Sequence, residues 1–279
     1  ISMASKNCFD YYKMGNELGG IGPGKIADIL ILDDYKKIKI NKVILGGKIV
    51  VSNGKLLEKI HTPKVPTWIQ KTIKLQKLTD EHFHVTSKNN SEIVNVISMK
   101  TEIVTKKDVA DLNVKNLNII PSYDKDIWKV AALDRTFGSK TKTVGFLKNF
   151  GADIGAFAST WSFHENDMIV IGSNEKDMAD AANKLVKSQG GIIVVKDGKT
   201  LASLPFQFGG IISTDPIDKV TKNFTKINDI LSDFGCKFKK PHLIPLFLPF
   251  LALPDIRILY NGIVDVKTRK FIPTIQTTI

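Results

Sequence analysis

Histidine is the side chain in this 279-residue sequence with the widest chemical use, because it can bind a metal ion or transfer a proton near neutral pH. Two of the histidines, His82 and His84, are separated by one residue. On a β-strand such a pair faces one side and could ligate one metal ion. No cysteine or third histidine lies close in the sequence to complete the site, so we expect a polar strand at a domain edge and no metal ligands. The remaining histidines are His61, His164 and His242.

Three further side chains could do chemistry, and each has a simpler explanation. Arg135 and Lys148 could bind an anion, but lone basic residues after strands usually form ion pairs at the surface or between domains. Cys236 follows the end of a helical pattern with no histidine placed to activate it, so we expect a core or boundary thiol. Gly209 and Gly210 indicate either a plain turn or a close approach of the backbone to a neighbouring domain.

The elements that must position these residues centre on positions 168–210. Two short apolar runs flank a segment whose apolar residues recur at helical spacing, and an Asp-Gly turn then leads into another strand. The pattern predicts a strand–helix–strand–hairpin unit formed by strand 168–172, helix 173–189, strand 190–195 and strand 200–204. Ser173 or Asn174 can cap the helix. Gly190 and Gly191 should end it, because glycine accepts the left-handed conformation found at helix ends.

A second helical pattern covers residues 217–234. We expect Asp215 to cap this helix, Pro216 to be its first residue and Gly235 to end it. The proline-rich apolar stretch 241–254 should be buried and irregular. Further strands are predicted at 93–97, 102–104, 126–134 and 263–266.

The composition limits the classes of function. The chain is 43% hydrophobic and 24% charged, which is typical of a globular protein. Its net charge is +12, but only three of the 40 basic residues are arginines and the lysines are scattered, so we favour a solvated lysine surface over a nucleic-acid site. Two cysteines cannot form a disulfide framework, and no signal peptide or bilayer-length apolar stretch is present. We therefore expect a cytoplasmic protein with no membrane partner. Because the first residue is Ile1, we also expect a fragment of a longer protein.

The first sixty residues contain a pattern with a known counterpart. A helix-like start over 1–18 is followed by Gly-Ile-Gly-Pro-Gly-Lys-Ile-Ala-Asp-Ile-Leu-Ile-Leu-Asp and then by Val-Ile-Leu-Gly-Gly-Lys-Ile-Val. This pattern resembles a segment found in the metal-dependent amidohydrolase superfamily. In that segment the chain leaves a (β/α)8 barrel and completes a small β-sandwich. The glycine-rich turn is not a phosphate-binding loop, because it lacks the Gly-Lys-Ser/Thr ending.

Several motifs between positions 64 and 273 also follow one another in the same order as in a known protein family. They include Ala-Ala-Leu-Asp-Arg135, Gly145-Phe-Leu-Lys-Asn-Phe-Gly151, Leu204-Pro-Phe-Gln-Phe-Gly-Gly and Asn261-Gly-Ile-Val-Asp-Val. Their order resembles the C-terminal domain of bacterial and archaeal adenine deaminases. The resemblance implies that a full-length enzyme converts adenine and water to hypoxanthine and ammonia, with manganese or iron at a two-metal centre. It further implies that this segment binds no metal, has the catalytic barrel as its partner and belongs to a homodimer.

The resemblance directs attention to the segment 161–167, Trp-Ser-Phe-His-Glu-Asn-Asp. Adenine deaminases often have a His-Asp-x-His-Asn-like segment at this place, and this sequence departs from it because the matching histidines are not both present. We identify His164, Glu165 and Asn166 as candidates for lining the active site, on a loop that lines or caps the barrel. The simpler alternative is a loop whose histidine and acid bind local backbone groups.

One interpretation and two alternatives follow. The fold class is mixed α/β, with a small β-sandwich remnant followed by an α/β C-terminal domain that contains a β-α-β-β unit. The expected domains are 1–18, the end of the last barrel helix; 19–62, part of the β-sandwich; and 63–279, the C-terminal domain. The segment should support or cover the catalytic barrel and be inactive alone. The alternatives are a free-standing noncatalytic binding module of the same fold and a lysine-rich nucleic-acid binder.

Overall fold

The computed structural model describes residues 1–59 and 65–276, and the chain separates into two compact units, Ile1–Lys64 and Val65–Ile279. His61 lies outside the described residues. The expected mixed α/β fold class is confirmed, because strands in three sheets are combined with a few helices. No helix within the described ranges is long and apolar enough to cross a bilayer.

The first unit is a small antiparallel sheet. A 3-10 turn, Ser2–Ala4, and helix α1 (Lys6–Tyr11) precede it in the sequence. Asn53 and Gly54 both have positive φ, 49° and 73°, as a tight hairpin turn requires. None of the described residues 1–59 is buried. The strands, in their order in the sheet, are β1 (Ile29–Asp34), β2 (Lys39–Leu45), β3 (Lys48–Ser52) and β4 (Lys55–Leu56).

The second unit contains a nine-stranded and a three-stranded sheet. Its strands are β5 (Ser91–Met99), β6 (Thr105–Lys115), β7 (Asn118–Ile119), β8 (Ile127–Leu133), β9 (Lys142–Lys148), β10 (Ala156–Ser159), β11 (Met168–Gly172), β12 (Gly191–Lys196), β13 (Lys199–Pro205), β14 (Ile256–Leu259), β15 (Gly262–Asp265) and β16 (Lys270–Ile272). Its α-helices are α2 (Glu175–Ser188), α3 (Ile217–Asp233) and α4 (Ile244–Phe247). The large sheet has the order β13-β12-β10-β11-β8-β9-β5-β6-β7, and the small sheet has the order β14-β15-β16.

The β-α-β-β unit forms as the sequence predicts, with one additional strand inserted. β11, α2, β12 and β13 follow one another in the chain. β10 lies between β11 and β12 and pairs antiparallel with both, so β11 and β12 run parallel. Asp197 and Gly198 have φ values of 52° and 73° and form the predicted hairpin turn before β13.

The ends of α2 agree only in part with the expectation. Asn174 is the cap, and its Oδ1 accepts the Asp177 N–H at 2.8 Å. The left-handed position at the other end is occupied by Gln189, with a φ of 57°. Gly190 and Gly191 follow that position, so the prediction that a glycine would occupy it is wrong.

The start of α3 also differs. Pro216 occupies the cap position with a ψ of 147°, and the first helical residue is Ile217. Asp215 does not cap the helix, because no side chain of the described residues donates or accepts a cap hydrogen bond there. Its carboxylate instead accepts a hydrogen bond from Lys219 Nζ at 3.0 Å. The strand predicted at 102–104 is absent too, because a turn around Thr101 precedes β6 there.

Three apolar clusters form the core of the second unit. One joins the large sheet to α3, α4 and the small sheet, another joins it to α2, and a third lies near β5 and β6. Along β11, Ile169 and Ile171 belong to the first cluster, whereas Met168 and Val170 belong to the second. This alternation shows that both faces of the sheet are covered at the strand that follows residues 161–167.

Candidate functional site

The His82–His84 pair does not lie on a strand, because Asp80–Phe83 forms a 3-10 helix. His82 Nδ1 accepts the Thr79 N–H at 3.1 Å, so the ring helps to cap this helix. Within residues 1–59 and 65–276, no group of three or more His, Cys, Asp or Glu side chains is arranged to hold a metal ion. The strand prediction for the pair is therefore wrong. The described residues also do not fit the manganese or iron centre that the resemblance implies for a full-length enzyme.

Residues 161–167 belong to the loop between β10 and β11, and this loop is hydrogen-bonded to Arg135, which follows β8. Asn166 Oδ1 accepts a hydrogen bond from Arg135 Nη2 at 3.3 Å. Asn166 Nδ2 donates to the His164 carbonyl at 3.2 Å, which fixes the loop backbone. The His164 side chain is exposed. The structure thus places Arg135, which the sequence does not predict as a site residue, in contact with the predicted site residue Asn166.

The two acids of this loop bind the polypeptide that follows α4. Glu165 Oε1 accepts the Leu251 N–H at 3.2 Å, and its other oxygen is buried without a hydrogen-bond partner. Asp167 Oδ2 accepts the Tyr260 N–H at 3.0 Å. In the simpler alternative, the histidine and acid of the loop bind local backbone groups. Both acids do bind backbone N–H groups, but these groups belong to segments that are distant in the sequence.

Arg135 is a buried cation without a matched anion. Its side chain is 2% exposed, Nη1 donates to the Gly209 carbonyl at 3.3 Å, and Nε has no partner. Among the described residues, no carboxylate forms an ion pair with it. Burial lowers the pKa of Arg135 to about 10, against the opposing effect of the Asp167 charge. The expectation of a surface or interdomain ion pair is wrong for Arg135, although Lys148 does form a partly exposed pair with Asp108 at 2.8 Å.

The glycine pair at 209–210 permits a close approach to this guanidinium. A Cβ added to Gly210 would lie 2.7 Å from Arg135 Nη1, and the φ of Gly210 is 73°. The Gly210 carbonyl accepts a hydrogen bond from Thr160 Oγ1 at 2.6 Å. The close approach is thus to a side chain of the same unit, and glycine is required at this position.

Asp167 is the second buried charged group of the cluster. Burial raises its pKa to about 7, with additional repulsion from Glu165 and Asp134, while the Tyr260 N–H and Arg135 act in the opposite direction. Buried polar groups without a hydrogen-bond partner, such as Arg135 Nε, are uncommon in folded proteins, and titratable groups with strongly shifted pKa values are concentrated at functional sites. The Arg135–Asp167 cluster therefore identifies the loop 161–167 as the candidate functional site of the second unit.

The comparison with known proteins agrees with the motifs around this cluster. The family described as "Adenine deaminase C-terminal domain" matches residues 102–270, which include both the end of β8 and the loop. The chain is 54% identical over 275 residues to the adenine deaminase of Cenarchaeum symbiosum (strain A), covering 99% of this chain and 45% of that protein. The chain belongs to the adenine deaminase C-terminal domain family.

Two further relatives show how much of such proteins this chain represents. The adenine deaminase of Clostridium botulinum (strain ATCC 19397 / Type A) is 33% identical over 98% of this chain and 46% of its own length. That of Methanosphaera stadtmanae is 30% identical over 99% of this chain and 50% of its own length. The chain thus spans about half the length of the curated adenine deaminases that it matches.

This adenine deaminase C-terminal domain contains a second buried polar cluster that was not predicted. Lys129, on β8, is 1% exposed and donates to the Phe83 carbonyl, to Asn118 Oδ1 and to Glu175 Oε1 at 2.9, 2.8 and 2.6 Å. Burial lowers the pKa of Lys129, and the hydrogen bond to Glu175 opposes that effect. The Lys129 ammonium has three hydrogen-bond acceptors, so its hydrogen bonds account for its burial without a functional role. A lysine inside the apolar run Ile127–Leu133 was the signal in the sequence.

Cys236 lies in an apolar cluster of the second unit. It is a free, buried thiol, and burial raises its pKa to about 11. A thiol with such a pKa is a poor nucleophile at neutral pH. The expectation of a core thiol is therefore confirmed.

Proposed function

We propose that this chain is the C-terminal part of an adenine deaminase, which converts adenine and water to hypoxanthine and ammonia. The observation that supports this most strongly is the 54% identity to a named adenine deaminase over 99% of the chain. The described residues do not fit a metal centre, so we assign the ligands of manganese or iron to the part of the relatives' length that this chain does not cover. This segment would support or cover the catalytic barrel in a homodimeric enzyme.

We further propose that the loop 161–167 faces the active site, with His164, Glu165 and Asn166 lining it. The exposed His164 side chain supports this assignment, as do the buried Arg135, which binds Asn166, and the buried Asp167 at the end of the loop. The loop residues would position or exclude groups around the substrate, and no proton transfer is assigned to them.

The test compares the full-length enzyme with this 279-residue segment, each supplied with Mn²⁺ and adenine. We expect hypoxanthine from the full-length enzyme and none from the segment. In the full-length enzyme, His164→Ala should lower kcat/KM about tenfold, which corresponds to about 1.4 kcal/mol. His84→Ala, a histidine outside the loop, is the matched control and should leave kcat/KM unchanged. Turnover by the segment, or an inactive metal-loaded full-length protein, would contradict the proposal.

A further inference from the structure

An open apolar groove lies beside the loop 161–167. It has a volume of about 270 Å³, and Trp161, Phe206 and Phe224 contribute aromatic surface to it. Ile212 and Ile217 also line it, and both side chains are largely exposed. We call this feature the Ile212 groove. Exposed apolar side chains around a concave surface are typical of a contact surface and not of a solvated face.

A second apolar surface begins two residues further along the same loop. Phe163 is 57% exposed, and its ring centroid lies 5.3 Å from that of Phe247 and 5.4 Å from that of Phe250. Leu251, whose N–H is bound by the loop, is exposed as well. We call this feature the Phe163 surface. The loop therefore contributes one aromatic side chain to each of two neighbouring apolar surfaces.

Arg135 fixes the two loops that carry these surfaces. One of its hydrogen bonds holds Asn166 in the loop 161–167, and the other holds Gly209, three residues before Ile212. A buried cation without an ion pair stabilises a fold less than a well-packed apolar side chain of similar size would. Stability alone therefore does not explain Arg135, whereas holding both loops in one conformation lowers the cost of ordering them when a partner binds.

We propose that the Ile212 groove and the Phe163 surface are covered by the catalytic part of the same polypeptide. This inference rests on the proposed function. The matched relatives contain at least as much polypeptide again, since this chain covers 45–50% of their length, and that part must be packed somewhere. Contact through the loop 161–167 would also bring His164 against the catalytic part. A second copy of the chain is the competing occupant.

The test measures how accessible the groove is in the full-length protein. Ile212→Cys and the control Ile93→Cys place thiols at residues of the same type that are 53% and 52% exposed in this chain. Leu117→Cys, in the exposed turn between β6 and β7, is a second control. Each variant is treated with a maleimide, and the labelling rate at that residue is read by peptide mass spectrometry and divided by its rate in denaturant. We expect labelling at position 212 to be at least about tenfold slower than at the controls.

Each other outcome of the experiment overturns the inference. Equal rates at 212 and at the control positions would mean that the groove is open. Slow labelling that is lost when the protein is diluted to a monomer would assign the groove to a second copy of the chain. Adenine turnover by the same wild-type preparation tests the proposed function separately. An active enzyme with fast labelling at 212 would therefore reject the surface and leave the function standing.

Discussion

A single buried carboxylate makes the stability of this domain depend on pH. Asp167 is 2% exposed, and burial raises its pKa in the folded protein to about 7. In the unfolded chain the pKa of an aspartate is about 3.9. Between these two values Asp167 binds more protons in the folded state than in the unfolded state, so its contribution to the free energy of unfolding falls as the pH rises from about 4 to about 7.

Asp167→Asn should remove this pH dependence. The neutral amide keeps an oxygen for the Tyr260 N–H, so the variant should match the wild type near pH 4 and be more stable than it near pH 8. The contribution of the wild-type carboxylate to the slope is at most about 1.4 kcal/mol per pH unit. Urea unfolding of both proteins at several pH values measures the difference. A variant that is less stable than the wild type near pH 8 would contradict the assignment.

Single residues also show what could not be predicted from the sequence. The loop 161–167 is predicted as a site by the resemblance to adenine deaminases, because it occupies the place of their His-Asp-x-His-Asn-like segment, directly before an apolar strand. The local sequence does not predict Arg135 as a site residue, because its hydrogen-bond partners are Gly209, 74 residues away, and Asn166, 31 residues away. Contacts over such separations leave no local pattern. The one available signal was compositional, since arginine is rare among the basic residues of this chain.

At the scale of elements, local signals predicted the unit β11–α2–β12–β13. Helical spacing, a capping residue and an Asp-Gly turn act within a few residues of each other, and all three lie where the sequence places them. The insertion of β10 between β11 and β12 was not predicted, because strand order is decided by pairing between distant segments. At α3, Pro216 takes an extended ψ and occupies the cap position itself, so the helix begins after it and Asp215 lies one residue outside the cap position.

The sequence left Ser173 and Asn174 as alternative caps of α2, and a pair of variants distinguishes them. Asn174→Ala should lower the free energy of unfolding by about 1 kcal/mol, because the Asp177 N–H loses its acceptor. Ser173→Ala should change it by less than about 0.5 kcal/mol, because the Ser173 carbonyl, which accepts the Tyr123 hydroxyl, is retained. Thermal or urea unfolding provides both values. Equal losses in the two variants would mean that Asn174 is not the effective cap.

At the scale of the whole molecule, the two units differ in how much apolar surface they bury. All three apolar clusters belong to the second unit, whereas none of the described residues 1–59 is buried. A four-stranded sheet needs a packed face to be stable alone. The free energy that folds this chain therefore comes mainly from residues 65–276.

A truncated chain of residues 65–279 should consequently unfold cooperatively, with a urea midpoint close to that of the whole chain, whereas residues 1–64 should show no cooperative transition. Circular dichroism and intrinsic fluorescence of the three polypeptides measure this. Ile171→Ala removes a fully buried side chain of the large sheet, and it should lower the free energy of unfolding by about 2–5 kcal/mol equally in the whole chain and in residues 65–279. An unfolded 65–279 segment, or one with a urea midpoint well below that of the whole chain, would mean that residues 1–64 contribute to the stability of the core.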